Sequence, residues 1–337
     1  MKKLLFLLLV GILVAIPFCG CIPKQQGEAP IGMAVEFNDH AASAYIAKDK
    51  GWFEEEGLKL TAYESYVTGM ALAAALARGD IQVADICLVP AINAYANAGV
   101  PIKVVAGTHK YGYGLVVNPE KIKTVKDLEK PGIRIGCVQV GGAADVVLHK
   151  TMDKYGLDEE KVLNNVQRMN PPQEVMAINT GQLDAAFIPE HWATMAENFG
   201  FNMLLMSQDV WPEMQGSVLV VKDDLINSHP EVVRKLVEVT KRATDWGNQH
   251  PQEAAEVMTR QLQAASGEVF PAEVVGVVGK LEITPEMLLK SMSRLEYTTS
   301  IDPKMVQATI DYVTGLGYIK SSFNADDILD LRFLEGK

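Results

Sequence analysis

The chain has 337 residues, enough for two domains that each bury a proper core. Its net charge is −11, its pI is about 5.1, and no basic run follows Lys3, which argues against a nucleic-acid partner. An acidic body still leaves room for an anionic ligand, because helix N-termini attract anions locally.

The first residues read as a processing segment. Lys2-Lys3 supply a positive start, residues 4–16 are apolar but too short for a membrane span, and Gly20-Cys21 follows. The Gly-Cys pair resembles a prokaryotic lipobox, so residues 1–21 are taken as a lipoprotein signal ending at Cys21, the residue expected to carry the lipid. Residues 22–30, polar and flanked by prolines, read as a tether. The mature protein is then expected at the outer face of the cytoplasmic membrane, held there by its N-terminal lipid.

Residues 31–37 form an apolar strand that ends at Asn38-Asp39-His40, where a helix over 41–50 begins. A strand over 58–66 leads to Thr68-Gly69, which opens an alanine-rich helix closed at Arg78-Gly79. Strand 81–88 is followed by a helix after Pro90. Strand 101–107 and the apolar 115–118 are separated by His109-Lys110-Tyr111-Gly112-Tyr113, a crossover candidate. A short helix at 124–130 precedes strand 133–140 and the small-residue turn Gly141-Gly142-Ala143-Ala144. A helix ending at Thr180-Gly181, strand 183–188 and a helix opening at Pro189-Glu190-His191-Trp192 follow. After 201–207 the chain passes Asp209–Pro212 and returns through 217–222, a second crossover. From Pro230 onward it reads as helices at 231–248, 253–265, 272–280, 285–295 and 303–316, expected to pack on the outside of the first lobe. Thr284 and Asp302 stand where N-caps belong.

One fixed offset lays Gly79 over Gly181 and Asp39 over Gly141, with strands and helices in matching order. The chain therefore reads as two copies of a βαβαβ unit, an α/β protein of two lobes with parallel or mixed sheets. Residues 31–110 and 215–337 are assigned to lobe one and 111–214 to lobe two, joined by a two-segment hinge near 110–113 and 211–217.

In open α/β sheets ligands bind beyond the carboxyl ends of the strands. Those ends place Asn38, His40, Tyr66 and Thr68 in lobe one, and Gly142, Ala143, Glu190, His191 and Trp192 in lobe two, around one cleft. Gly142-Ala143 offer free backbone N–H groups at a helix start, which suits an anion. Glu190, His191 and Trp192 together could grip a small zwitterion, the acid taking an amine and the indole walling the pocket. The competing reading makes Glu190 a helix-dipole residue and Trp192 core. His40 and Lys110 are the expected cationic contacts of lobe one. Tyr111, Tyr113 and Trp211 either line the cleft or pack the hinge. Cys87 and Cys137 fall inside apolar strands of different copies and are expected as buried free thiols. No metal-ligand spacing and no nucleophile motif is present, and Asp80 and Asp184 match by position but sit at strand starts.

GWFEEEGLKL (51–60), ALARGDIQVA (75–84), LEKPGIRIG (128–136), PPQEVMAINTGQLDAAF (171–187) and HPEVVRKLV (229–237) occur in this order. Together they resemble the nitrate/sulfonate/taurine-type periplasmic solute-binding proteins. The resemblance implies a type II periplasmic binding protein fold that closes on a small-molecule ligand and delivers it to an ABC permease and its ATPase. It implies a monomer that uses no cofactor and is not an enzyme. Aliphatic sulfonates or taurine lead as ligands, with nitrate, bicarbonate or a thiamine-pyrimidine precursor as alternatives. The same superfamily includes a pyrimidine synthase, whose cysteine-rich motif is absent here. Glu190-His191 stands where family members commonly have Glu-Pro, and Gly142-Ala143 where they have Gly-Ser, which removes a hydroxyl from the sulfonate position.

Overall fold

The computed structural model describes residues 31–269 and 283–335. The signal segment with Cys21, the tether and the helix expected at 272–280 lie outside these residues.

Two sheets share one topology. In the first, β1 (Ile31–Glu36), β2 (Leu60–Tyr66) and β3 (Val83–Cys87) run parallel in the order β2-β1-β3. β10 (Gln215–Lys222) then pairs antiparallel with both β3 and β4 (Ile102–Lys110), and β11 (Glu296–Tyr297) closes the edge. In the second, β6 (Ile135–Cys137), β7 (Val166–Arg168) and β8 (Ala185–Pro189) run parallel as β7-β6-β8. β5 (Tyr113–Val117) pairs antiparallel with β8 and with β9 (Asn202–Met206). Strands β1, β3, β5, β6 and β8 are buried along their whole length, as their mostly apolar runs require when helices cover both faces; Glu36 in β1 and Asp85 in β3 are the charged residues they bury. The two copies of the sequence pattern are thus two lobes of a type II binding-protein fold.

The chain leaves the first sheet at Lys110 and enters the second at Tyr113, so the first crossover is only Tyr111-Gly112. β4 runs through His109 and Lys110, which the sequence pattern had assigned to the interruption. Pairing of Lys110 and His109 with Glu296 and Tyr297 of β11 extends the strand. Both crossover residues have positive φ, 67° for Tyr111 and 95° for Gly112. Gly112 is required there: a Cβ would stand 2.6 Å from His40 Nε2. The return path is the short Ser207–Val210 helix and the segment to Gln215, and Tyr111 Oη donates to the Pro212 carbonyl at 3.1 Å, tying the two crossovers together. The strand expected over 133–140 stops at Cys137, because residues 138–142 peel off the sheet. There Arg168 Nη1 donates to the Val138 carbonyl at 2.8 Å.

The Pro230–Gln249 and Pro251–Val269 helices pack on the Ala42–Asp49 helix of the first lobe. Lys50 lies over Trp246 at 4.1 Å and Arg242 over Trp52 at 4.2 Å. Thr284 and Asp302 cap the Pro285–Met292 and Pro303–Gly315 helices, accepting from Met287 N and Lys304 N. The last helices, expected on the outside of the first lobe, also reach the second. Pro285–Met292 packs against the Glu190–Glu197 helix of the second lobe, where Lys290 and Arg294 pair with Glu197. Tyr312 Oη donates to Asp153 at 2.5 Å and Tyr318 Oη to Asp145, both on the Ala143–Tyr155 helix. Each hydrophobic core cluster also spans both lobes: Trp192 meets Phe37 with ring centroids 6.2 Å apart. Cys87 and Cys137 are buried free thiols. Among the described residues no helix is long and apolar enough to cross a membrane.

Candidate functional site

The carboxyl ends of all six parallel strands meet in one cavity of about 30 Å³ between the lobes. β1 contributes Glu36 and Asn38, β2 leads to Val67, Thr68, Gly69 and Met70, and Pro90 follows β3. From the second lobe, β6 leads to Val138, Gln139 and Gly142–Ala144, β7 to Pro171, and Pro189 ends β8, with Tyr113 at the head of β5. Usual ligand pockets are on the order of ten times larger, so the lobes stand closed on one another. Asn93 Nδ2, from the first lobe, donates to the Gly141 carbonyl of the second at 3.0 Å.

Two helix starts face this space. Thr68 caps the Gly69–Arg78 helix by accepting from Ala71 N at 3.2 Å, and the N–H groups of Gly69 and Met70 are not used within the helix. The Ala143–Tyr155 helix starts after Gly142 without a side-chain cap, and its first N–H groups are likewise not used within the helix. Its turn is shaped by the buried Asp145, which accepts from Gly141 N at 3.1 Å and from Tyr318 Oη and pairs with Arg168 at 2.6 Å. Both starts suit negative charge. Among the described residues Glu36, 3% exposed, is the only charged side chain in the wall, and no basic side chain joins it. Glu36 Oε1 accepts from Cys87 N at 2.8 Å and Oε2 from Asn38 Nδ2 at 3.1 Å.

Of the residues named from sequence, Asn38, Thr68, Gly142 and Ala143 line the cavity, and His40, Tyr66, Tyr111, Glu190, His191 and Trp192 are not among the lining residues. His40 is buried behind the wall, with Nε2 2.6 Å from the Gly112 carbonyl and Nδ1 3.8 Å from Glu36. Burial opposes its charged form, but Glu36 and Asp39 outweigh that and raise its pKa. Tyr66 turns to the outside of β2 and donates to Glu64 at 2.5 Å. Glu190 is buried and accepts from Arg294 at 2.8 Å and Thr194 at 3.0 Å. Burial pushes its carboxyl up to about 7 against the pull of Arg294. His191 lies 3.8 Å from Asp39 and 4.4 Å, centroid to centroid, from Trp192; burial, then His40, pushes its pKa down and keeps it neutral. Trp192 is fully buried between the lobes. Lys110 pairs with Glu296 at 2.7 Å, and Trp211 packs near Tyr312 rather than in the wall. Tyr113, which the sequence left open between cleft and hinge, is in the wall, its Oη 3.4 Å from Cys87 Sγ.

Glu36 and Gln139 escaped the sequence reading. For Glu36 a signal existed: it is the one charge in the run 31–37 read as a buried strand, and a buried charge must find partners or a role. Gln139 had none. Among the described residues, no three or more His, Cys, Asp or Glu are placed to hold a metal ion, although three buried histidines lie near the hinge.

The taurine-binding periplasmic protein of Escherichia coli (strain K12) is 26% identical over 209 residues, 60% of this chain and 62% of that protein. The chain spans about two thirds of the length of the curated relatives it matches. Among solved structures, the alkanesulfonate-binding protein SsuA from Xanthomonas axonopodis pv. citri bound to MOPS superposes with a TM-score of 0.73 at 16% identity, covering 90% of this chain and 98% of that one. The periplasmic nitrate-binding protein NrtA from Synechocystis PCC 6803 does so with a TM-score of 0.71 at 13% identity, covering 91% and 87%. These likenesses at low identity speak for the fold. The model of the NMT1-like family matches residues 24–262, most of the chain, and the protein belongs to that family.

Proposed function

We propose that this protein is the solute receptor of an ABC importer, closing on a small organic anion or zwitterion of the sulfonate or taurine kind and presenting it to a permease and its ATPase. The reading adds a lipid on Cys21 that holds it at the outer face of the cytoplasmic membrane. One observation carries it: six strand ends from two lobes converge on one narrow cavity with two helix starts facing in. The similarity to taurine-, alkanesulfonate- and nitrate-binding proteins supports the class.

The mechanism is binding without chemistry. The ligand touches both walls only when the lobes are together, so its affinity differs between open and closed forms and shifts the population toward closed. The two-residue crossover is short enough to transmit that shift as a rotation about Tyr111-Gly112.

The test is a thermal-shift and scattering series with taurine, ethanesulfonate and nitrate on the purified receptor. A ligand at about a hundred times its Kd should add about 2.7 kcal/mol of stability. It should also leave a particle no larger than the free one. No stabilisation by any of the three, together with no small molecule carried through native purification, would overturn the receptor reading. Cys21→Ser should release the protein from membranes; fractionation identical to wild type would overturn the anchor.

A further inference from the structure

Glu36 sets an electrostatic condition on whatever enters the cavity. It is the last residue of β1, it lines the cavity, and it is 3% exposed. Two protein donors reach it, Cys87 N on one oxygen and Asn38 Nδ2 on the other. A carboxylate offers about four acceptor positions, so both oxygens keep capacity for further donors. Gly69 lets it stand in the wall: a Cβ at Gly69 would come 2.5 Å from Glu36 Oε1 and 2.7 Å from Pro90 Cγ. His40, 3.8 Å from Oε2, stands behind the wall with one ring nitrogen on the Gly112 carbonyl, and so adds no positive group to the cavity. Across the space, the second lobe presents the N-terminal turn of the 13-residue Ala143–Tyr155 helix, the pole that favours an anion.

A simple anion held at that helix start would share a space of about 30 Å³ with a second negative charge and meet no basic side chain. An ammonium group on the same molecule removes the conflict by taking the free capacity of Glu36. Resting on the receptor reading above, we propose that Glu36 is the specificity-determining residue of this site. It selects a zwitterion, anionic end on the Gly142–Ala144 turn and protonated amine on Glu36, over an amine-free anion of the same shape.

Calorimetry on the full chain tests this with matched pairs that differ only in the amine, taurine against ethanesulfonate and β-alanine against propionate, with nitrate as a fifth probe. Wild type should prefer the amine-bearing member of at least one pair by about thirtyfold or more. Glu36→Gln should cut that preference at least about tenfold, and Glu36→Asp should keep more of it. The readout is a ratio of two affinities on one preparation, so a partly misfolded variant does not distort it, and the wild-type preference needs no variant. The proposal is overturned if ethanesulfonate, propionate or nitrate binds as tightly as the amines, an outcome that leaves the receptor reading intact. It is also overturned if Glu36→Gln keeps the full preference, or if neither amine binds at millimolar concentration.

Discussion

Gly112 is the sharpest test of how the hinge is built. Replacing it with alanine puts a methyl 2.6 Å from His40 Nε2 and 3.0 Å from His109 Cε1, two buried rings whose centroids are 4.5 Å apart and which have little freedom to retreat. The backbone at φ 95° adds about 1–2 kcal/mol for any residue with a Cβ. Overpacking of a filled site costs about 1–3 kcal/mol. Displacing His40 also weakens its bond to the Gly112 carbonyl, about 0.5–1.5 kcal/mol. Gly112→Ala should therefore lose about 3–5 kcal/mol, much of a typical domain's stability. The control is Gly132, which has φ 82° but nothing within 4 Å of its would-be Cβ. Gly132→Ala pays the backbone term alone, about 1–2 kcal/mol. Urea unfolding of both variants isolates the contact with the two histidines, and departures from two-state behaviour shared by the pair largely cancel in the comparison. Equal destabilisation by the two substitutions would refute the packing described for the crossover.

Three further substitutions probe the rest of the account. Tyr318→Phe removes a phenol–carboxylate bond to Asp145 on the helix that starts at the cavity, worth about 1.5–3 kcal/mol. Ligand release measured by stopped flow should quicken about tenfold, and an unchanged rate would mean that the bond takes no part in closure. Asp85→Asn addresses pH: burial first, then the Glu36 charge, push the Asp85 carboxyl up to about 8. Stability from this group is therefore full below the ordinary value of 3.8 and falls as pH rises toward 8. The always-neutral asparagine should gain on wild type by about 2–4 kcal/mol between pH 5 and pH 8 in urea unfolding, and parallel profiles would contradict this. Asp184, 1% exposed and gripped by Arg134 at 2.9 Å and Lys121 at 2.5 Å, sits at the opposite end of β8 from the cavity. Asp184→Asn should lose about 2–3 kcal/mol of stability with ligand affinity unchanged; a loss of affinity on a folded protein would misplace the site.

Much of this architecture is legible in the residues, and where legibility stops has physical causes. Largely apolar runs with glycine or proline near their ends mark β1, β3 and β8, broken only by Glu36 in β1 and Asp85 in β3, because strands covered on both faces have no polar side to show. The short strands β7 and β11 carry too few residues for any period. Strand ends locate the cavity, as Asn38, Thr68, Gly142 and Ala143 illustrate. They do not say which way a helix-start side chain turns. Glu190, His191 and Trp192 begin a helix beside the cleft, yet Arg294, about a hundred positions downstream, pairs with Glu190, and Phe37 covers Trp192. Contacts that distant leave no local pattern. Glu36 was hidden for the opposite reason: a single acid makes no motif, and its meaning depends on the glycine at 69 that lets it stand in the wall.

The central claim is that the cavity between the six strand ends is where ligand binds. Its most direct test is a crystal structure with the tightest-binding compound of the calorimetric series. The account predicts a ligand touching Glu36 and the Gly142–Ala144 turn at once, enclosed by both lobes. Ligand lying instead in the larger, open groove of about 490 Å³ beside Tyr95, Lys103 and Phe323 on the first lobe, with the inter-lobe cavity untouched, would contradict it.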